Sequence, residues 1–152
     1  MIQRIEQVKL PLHGDARGQL VAIEGFGSRE GYQLPFEIKR CYYIFDTTPG
    51  TVRGHHAHRQ LKQLLVCVSG ACTIRCDFGD GRVEDVVLDW PDQGLLIEGL
   101  VWHDMLHFSK GAVLMVLASD HYDEADYVRD YDTFLQLAKA FREEAQETIR
   151  RR

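Results

Sequence analysis

The chain has 152 residues, 45% of them hydrophobic and 27% charged, with a formal net charge of −5. This is the size and composition of one globular domain with a real core, and the acidic balance excludes a basic nucleic-acid-binding face. Residues 1–10 carry no signal-peptide pattern, and no apolar run nears the about 20 residues of a membrane span, so a cytoplasmic protein without a membrane partner is expected.

In chain order, strand-like segments alternate with turn chemistry. Residues 19–24 form the first. Residues 36–46 follow and end at Thr47-Thr48-Pro49-Gly50. Arg53-Gly54 then leads into His55-His56-Ala57-His58. Residues 62–68 close at Ser69-Gly70, and residues 71–78 run to Gly79-Asp80-Gly81. Residues 82–88 are broken by Trp90-Pro91-Asp92, and residues 95–97 and 112–118 complete the set. Many short strands with no long helix between them predict an all-β sandwich or barrel rather than a parallel βαβ sheet. The end differs: Tyr131, Phe134, Leu135, Ala138, Phe141 and Ala145 recur at helical spacing, which predicts an amphipathic helix over residues 133–150. This helix packs either on its own barrel or on a partner. Residues 1–152 are expected to form a single domain. Cys41, Cys67, Cys72 and Cys76 make no CxxC pair and read as reduced, mostly buried thiols.

The chemistry concentrates at residues 53–58. On an extended strand His56 and His58 point to one side and His55 to the other. Two imidazoles on one face, with His103 on a later segment, suit either a metal site or proton transfer. The carboxylate that would complete a metal set is lacking, because the candidate positions hold Lys62 and Gln63. For proton transfer, an unperturbed pKa near 6.5 makes both protonation states accessible at neutral pH. Arg53, next to the pair in sequence, is expected to depress the imidazole pKa. Arg40 and Tyr42 share one face of their strand by parity, and Lys39, Cys41 and Tyr43 share the other; parity does not say which face looks inward. Arg17, Arg40 and Arg53 are the arginines placed to grip an anion.

Four separated motifs in order resemble the sugar 3,4-ketoisomerase family, enzymes of TDP-4-keto-6-deoxyglucose. They are residues 38–47 around Arg40-Cys41-Tyr42-Tyr43, residues 53–58, Val101-Trp102-His103-Asp104-Met105, and residues 117–131 around Asp126-Tyr127-Val128-Arg129. The resemblance spans about residues 14–134. It implies a cupin-type double-stranded β-helix, or jelly roll, assembled as a homodimer and serving the synthesis of deoxyaminosugars for surface glycans or secondary metabolites. It implies no cofactor and no metal in catalysis. It carries over His56, His58 and Tyr42 as catalytic residues, with Arg17, Arg40, Arg53 and His103 toward the TDP-linked 4-keto-6-deoxyhexose. Arg17 and His103 match the branch that forms the galacto product. Three positions depart from the family pattern: His55 replaces an aromatic ring, Lys62 an acidic or other polar residue, and Gly99-Leu100 lacks a proline. Two alternatives stay open: a TDP-4-keto-sugar 3,5-epimerase-like enzyme, and a non-catalytic cupin that binds a sugar nucleotide or a metal.

Overall fold

A computed structural model describes residues 2–27 and 32–151. Apolar, β-branched segments that alternate or run continuously pair into two five-stranded antiparallel sheets. The first has the order β1 (Gln3–Lys9), β9 (Gln93–Gly99), β6 (Lys62–Ser69), β11 (Val113–Ala118), β4 (Arg40–Ile44). The second has the order β12 (Tyr127–Val128), β5 (Arg53–His58), β10 (Trp102–Leu106), β7 (Cys72–Asp77), β8 (Val83–Leu88). A hairpin of β2 (Leu12–Asp15) and β3 (Gly18–Val21) pairs with neither sheet, although Val21 packs against the outer face of the first. This is the expected two-sheet jelly roll.

The main core lies between the sheets, where Leu65, Cys67, Ile74, Cys76, Leu95, Ile97, Leu114 and Val116 interdigitate. The run from Leu64 to Cys67 is buried on both faces, which is why it reads as continuous rather than alternating. Its outer residues Leu64 and Val66 are covered by Val8, Leu10, Leu34 and Phe36 from the N-terminal segment. Residues 36–39, expected as strand, lie outside β4, although Lys39 N–H still bonds to Ala118 O at 3.0 Å. The first expected strand, residues 19–24, is found as β3, which starts one residue earlier and ends at Val21.

Helix α1 (Tyr131–Arg150) begins two residues before the expected start. Asp130 caps it by accepting from Thr133 N–H at 2.8 Å. The helix packs on its own barrel: Phe134 and Ala138 are buried against Ala57, Leu100, Trp102 and Val128. Arg142 adds hydrogen bonds to the carbonyls of Phe78 and Gly79. The cysteines are all free, with three buried and Cys41 exposed.

Candidate active site

One local irregularity builds the site. His56 pairs with His103, but Gly54 pairs with Asp104, so His55 is an extra residue and β5 is bulged. Gly54 and His55 have positive φ angles of 80° and 60°. A side chain at Gly54 would put its Cβ 2.8 Å from the His103 carbonyl oxygen, so glycine is required both for the φ and for the close approach. Strict alternation would have put Arg53 on the face opposite His56. The bulge reverses that, and Arg53 and His56 line the same cavity.

The cavity has a volume of about 450 Å³. Arg40, Tyr42 and Ile44 line it from β4, which settles the parity question in favour of their face pointing inward; Arg53, Gly54, His56, Met105, Tyr127 and Arg129 complete the principal wall. A neighbouring depression shares Arg40 and Tyr127 and reaches His58 and Asp126.

His56, His58 and His103 form one cluster. The His56 ring centroid lies 4.9 Å from those of both His58 and His103. Each ring is oriented through Nδ1. His56 bonds to Gly54 O at 2.9 Å and His103 to Val101 O at 3.0 Å. A carbonyl only accepts, so in both rings Nδ1 carries the proton and Nε2 is a bare lone pair. His58 Nδ1 donates to Asp126 Oδ2 at 3.0 Å and presents its Nε2 in the same way. All three Nε2 atoms are buried without a hydrogen-bond partner among the described residues.

Burial dominates their titration. It lowers His56 to about 4, with His58 as the next cause. It lowers His103 to about 3, with His56 and then His58 adding to it. It lowers His58 as well, against the opposing effect of the hydrogen bond that His58 donates to Asp126. The cation that acts on His56 is Arg129, not the expected Arg53. Burial, followed by the field of Tyr127, pushes the Tyr42 phenol up to about 12, so it stays a hydrogen-bond donor; it donates to Gln63 Oε1 at 2.9 Å.

The three arginines of the cavity differ. Arg129 is held by Glu124 and lies 4.3 Å over the Tyr127 ring. Arg40 stacks on Tyr42 at 5.4 Å, and its Nε is buried without a partner among the described residues. Arg53 faces the cavity from the bulge. Arg17 is not brought to them. It sits on the exposed β2–β3 hairpin, paired with Asp15 at 2.5 Å, and does not line this cavity. His55 points outward to Asp104 and packs edge-on against Trp102 at 5.2 Å. Lys62 pairs with Glu98, away from the histidines.

Four residues of this site had no assigned role in the sequence reading: Tyr127, Arg129, Asp126 and Glu124. The 3-10 turn Glu124–Asp126 and the two-residue strand β12 present the first, third and fourth of these, and Arg129 directly follows β12. Asp126 also accepts from Gln60 N–H at 2.9 Å, tying this turn to the end of β5. The signal available was the motif at residues 117–131 itself, dense in acids and aromatics but with no periodicity to aim them.

The chain is similar to known proteins over most of its length. The family described as FdtA, WxcM-like, C-terminal, matches residues 3–139. The chain is 51% identical over 120 residues to a TDP-4-oxo-6-deoxy-alpha-D-glucose-3,4-oxoisomerase of Aneurinibacillus thermoaerophilus, covering 79% of this chain and 82% of that one. It superposes with a TM-score of 0.84, at 38% identity, on a 3,4-ketoisomerase of Thermoanaerobacterium thermosaccharolyticum. That structure is a histidine-to-asparagine variant in complex with TDP-4-keto-6-deoxyglucose, and the match covers 92% of this chain and 97% of that one. A TDP-quinovose 3,4-ketoisomerase of Campylobacter jejuni matches at 46% identity and TM-score 0.80, over 89% and 99% of the two chains.

Proposed function

The chain belongs to the FdtA, WxcM-like family of sugar-nucleotide 3,4-ketoisomerases, and on that premise we propose that it isomerises TDP-4-keto-6-deoxy-D-glucose to a TDP-3-keto-6-deoxyhexose. The observation that carries this reading is the neutral His56, whose Nε2 is without a hydrogen-bond partner, in a cavity that three arginines line.

The C4 ketone acidifies the proton on C3. His56 Nε2 takes that proton, and the electron pair of the C–H bond forms the C3–C4 double bond while negative charge develops on O4. Protonation of O4 gives the 3,4-enediol. Return of a proton to C4, with loss of the O3 proton, leaves the ketone at C3. The product is an isomer, and no electrons leave the sugar. His58, its tautomer fixed by Asp126, relays or orients the proton. Tyr42 rests on Gln63 and swings its hydroxyl to the developing oxyanion. Arg40 and Arg53 hold the diphosphate or sugar oxygens, and Arg129 joins them. The incoming negative charge raises the pKa of the histidines and so offsets their burial once substrate is bound.

We assign the galacto product, with His103 helping to place the group that reprotonates C4. Its ring lies 4.9 Å from that of His56, and its burial fixes it there. The contribution of Arg17 rests on the resemblance alone. The whole chain acts as one domain, in the cytoplasm, and as a homodimer. Exposed Tyr43 on the edge strand β4 and Phe45 just after it supply apolar surface for association. The test is incubation of the purified chain with TDP-4-keto-6-deoxyglucose and identification of the product by NMR. A 3-keto product with galacto configuration is expected. A gluco product removes the stereochemical assignment, and exchange at C5 in deuterated solvent points to an epimerase instead. His56→Asn is expected to cost on the order of 10²–10⁴-fold in kcat; near-normal turnover sinks the mechanism.

A further inference from the structure

One polar residue stands on the apolar inner face of β6. Gln63 is buried, on the side where Leu65 and Cys67 enter the main core. Its Oε1 accepts from the Tyr42 hydroxyl at 2.9 Å, and its Nε2 has no hydrogen-bond partner among the described residues. Tyr42 lines the cavity and Gln63 does not, so the amide sits behind the phenol. An apolar side chain at position 63 would bury no orphan amine, so packing alone gives no reason for glutamine here.

We propose that Gln63 is a positioning residue that delivers the Tyr42 proton. In the empty site its carbonyl holds that proton. On substrate binding its amide turns over, so that Nε2–H donates to the phenol oxygen while the phenol donates to O4 of the sugar. This role rests on the isomerase reading above, and it reaches the sugar only through Tyr42.

Proton counting leads to the turn. A phenol has one proton. While that proton lies on Gln63 Oε1, Tyr42 has only lone pairs to offer the cavity, yet O4 gains negative charge and needs a donor. Turning the hydroxyl alone would orphan both ends of the amide, because Oε1 loses its donor and Nε2 still lacks an acceptor. Half a turn about the last side-chain torsion removes one of those orphans, since the phenol oxygen becomes the acceptor of Nε2–H. The amide has nearly the same shape in both orientations, so little else has to move. In each state one end of the amide is paired with Tyr42 and the other is not. The two states are therefore close in energy, and one new hydrogen bond from the phenol to substrate decides between them.

The surroundings supply the matching acceptor problem. Across the first sheet the register places Arg40 opposite Ala118 and Ala118 opposite Gln63, so only a methyl group stands between the two long side chains on that row. Arg40 Nε is also buried without a partner among the described residues. The row thus carries idle donors, which the oxygens of a ligand would satisfy. The turned amide also improves Tyr42 as a donor. Burial holds its phenol at about 12, and a hydrogen bond into the phenol oxygen favours charge there. A chain running from Nε2–H to the phenol and on to O4 is strengthened along its length. Tyr42 keeps its proton throughout, and only hydrogen bonds change partners.

The experiment compares kcat and KM for TDP-4-keto-6-deoxyglucose in four full-length chains: wild type, Gln63→Met, Tyr42→Phe and the double variant, each with its fold confirmed by circular dichroism. Gln63→Met should lower kcat on the order of tenfold and leave KM unchanged. In the Tyr42→Phe background it should lower kcat no further, because the phenol through which Gln63 acts is gone. Gln63→Leu replaces Gln63→Met if the latter does not fold. The turn itself is read by NMR on the 15N-labelled His56→Asn chain, which keeps Gln63 and slows turnover. Saturation with TDP-4-keto-6-deoxyglucose should move one Gln63 side-chain amide proton downfield, and the added Tyr42→Phe change should abolish that move. Wild-type kcat in a Gln63 variant overturns the proposal, and so does an equal loss in the Tyr42→Phe background or an amide pair that stays in place on the saturated chain. A wild-type chain without turnover removes the isomerase reading instead.

Discussion

The depressed pKa of His56 makes a prediction that acid separates cleanly. An ordinary histidine, with a pKa near 6.5, is only about 9% neutral at pH 5.5. His56 titrates near 4 and is about 97% neutral at that pH. The groups acting on it are His58, which lowers it, Arg129, which lowers it, and the Gly54 carbonyl and Glu124, which raise it. Since kcat/KM reports the free enzyme, its acid limb should fall near pH 4, and the rate constant at pH 5.5 should be about tenfold higher than an unperturbed base allows. The same shift acts on stability. The native state binds fewer protons at His56 than the unfolded chain does, so its contribution is complete above about pH 6.5 and is lost as pH falls toward 4, for a total of about 3 kcal/mol. His103 adds a loss of the same sign down to its own lower pKa. The assay is kcat/KM for product formation from pH 4 to 8 at constant ionic strength, with circular dichroism at each pH to confirm the native fold. An acid limb near 6.5 on folded protein would refute the reasoning.

Other substitutions test other parts of the site. Tyr42→Phe removes the hydroxyl that donates to Gln63 and should cost on the order of 10²–10³-fold in kcat with little change in KM, whereas an unchanged kcat would remove Tyr42 from the chemistry. Gly54→Ala drives a Cβ into the His103 carbonyl at a left-handed backbone position, so both thermal stability and turnover should fall; a variant with wild-type kcat would show that the bulge does not aim the histidines. Phe134→Ala empties a fully buried site between α1 and the barrel and should destabilise by about 3–5 kcal/mol, read from denaturant midpoints; a loss below 1 kcal/mol would mean that the helix is not anchored there.

The sandwich was legible because strand segments such as residues 71–78 and 82–88 are short and bounded by glycine and aspartate turns. His56 and His58 were legible for the same reason, since parity alone put them together. What parity could not show was the extra residue in β5. Arg53 therefore had no readable side, and its closeness to the histidines in sequence was mistaken for the electrostatic influence that Arg129 exerts from 71 positions beyond His58. Arg40 was ambiguous because a mid-strand arginine is usually exposed, and only the opposing sheet reveals the cavity it faces. Arg17 belongs to a turn motif, and a motif fixes identity without fixing where an exposed hairpin leads. Asp126 and Tyr127 sit on a turn and a two-residue strand, elements too short to leave a periodic trace.

The pairing of β1 with β9 has a consequence for how the molecule is made. Gln3 lies opposite Gly99 and Lys9 opposite Gln93, so the first strand waits for a partner about 90 residues later in the chain. At ribosomal speeds of about 5–20 residues per second this is a delay of seconds. Closing so large a loop is entropically costly, and it is a step on which folding is expected to wait. Until it closes, β9 presents an open edge beside β6, and the coat of Val8, Leu10, Leu34 and Phe36 has no sheet to cover. The first strand, once seated on β9, thus covers an edge that would otherwise be open to edge-to-edge association.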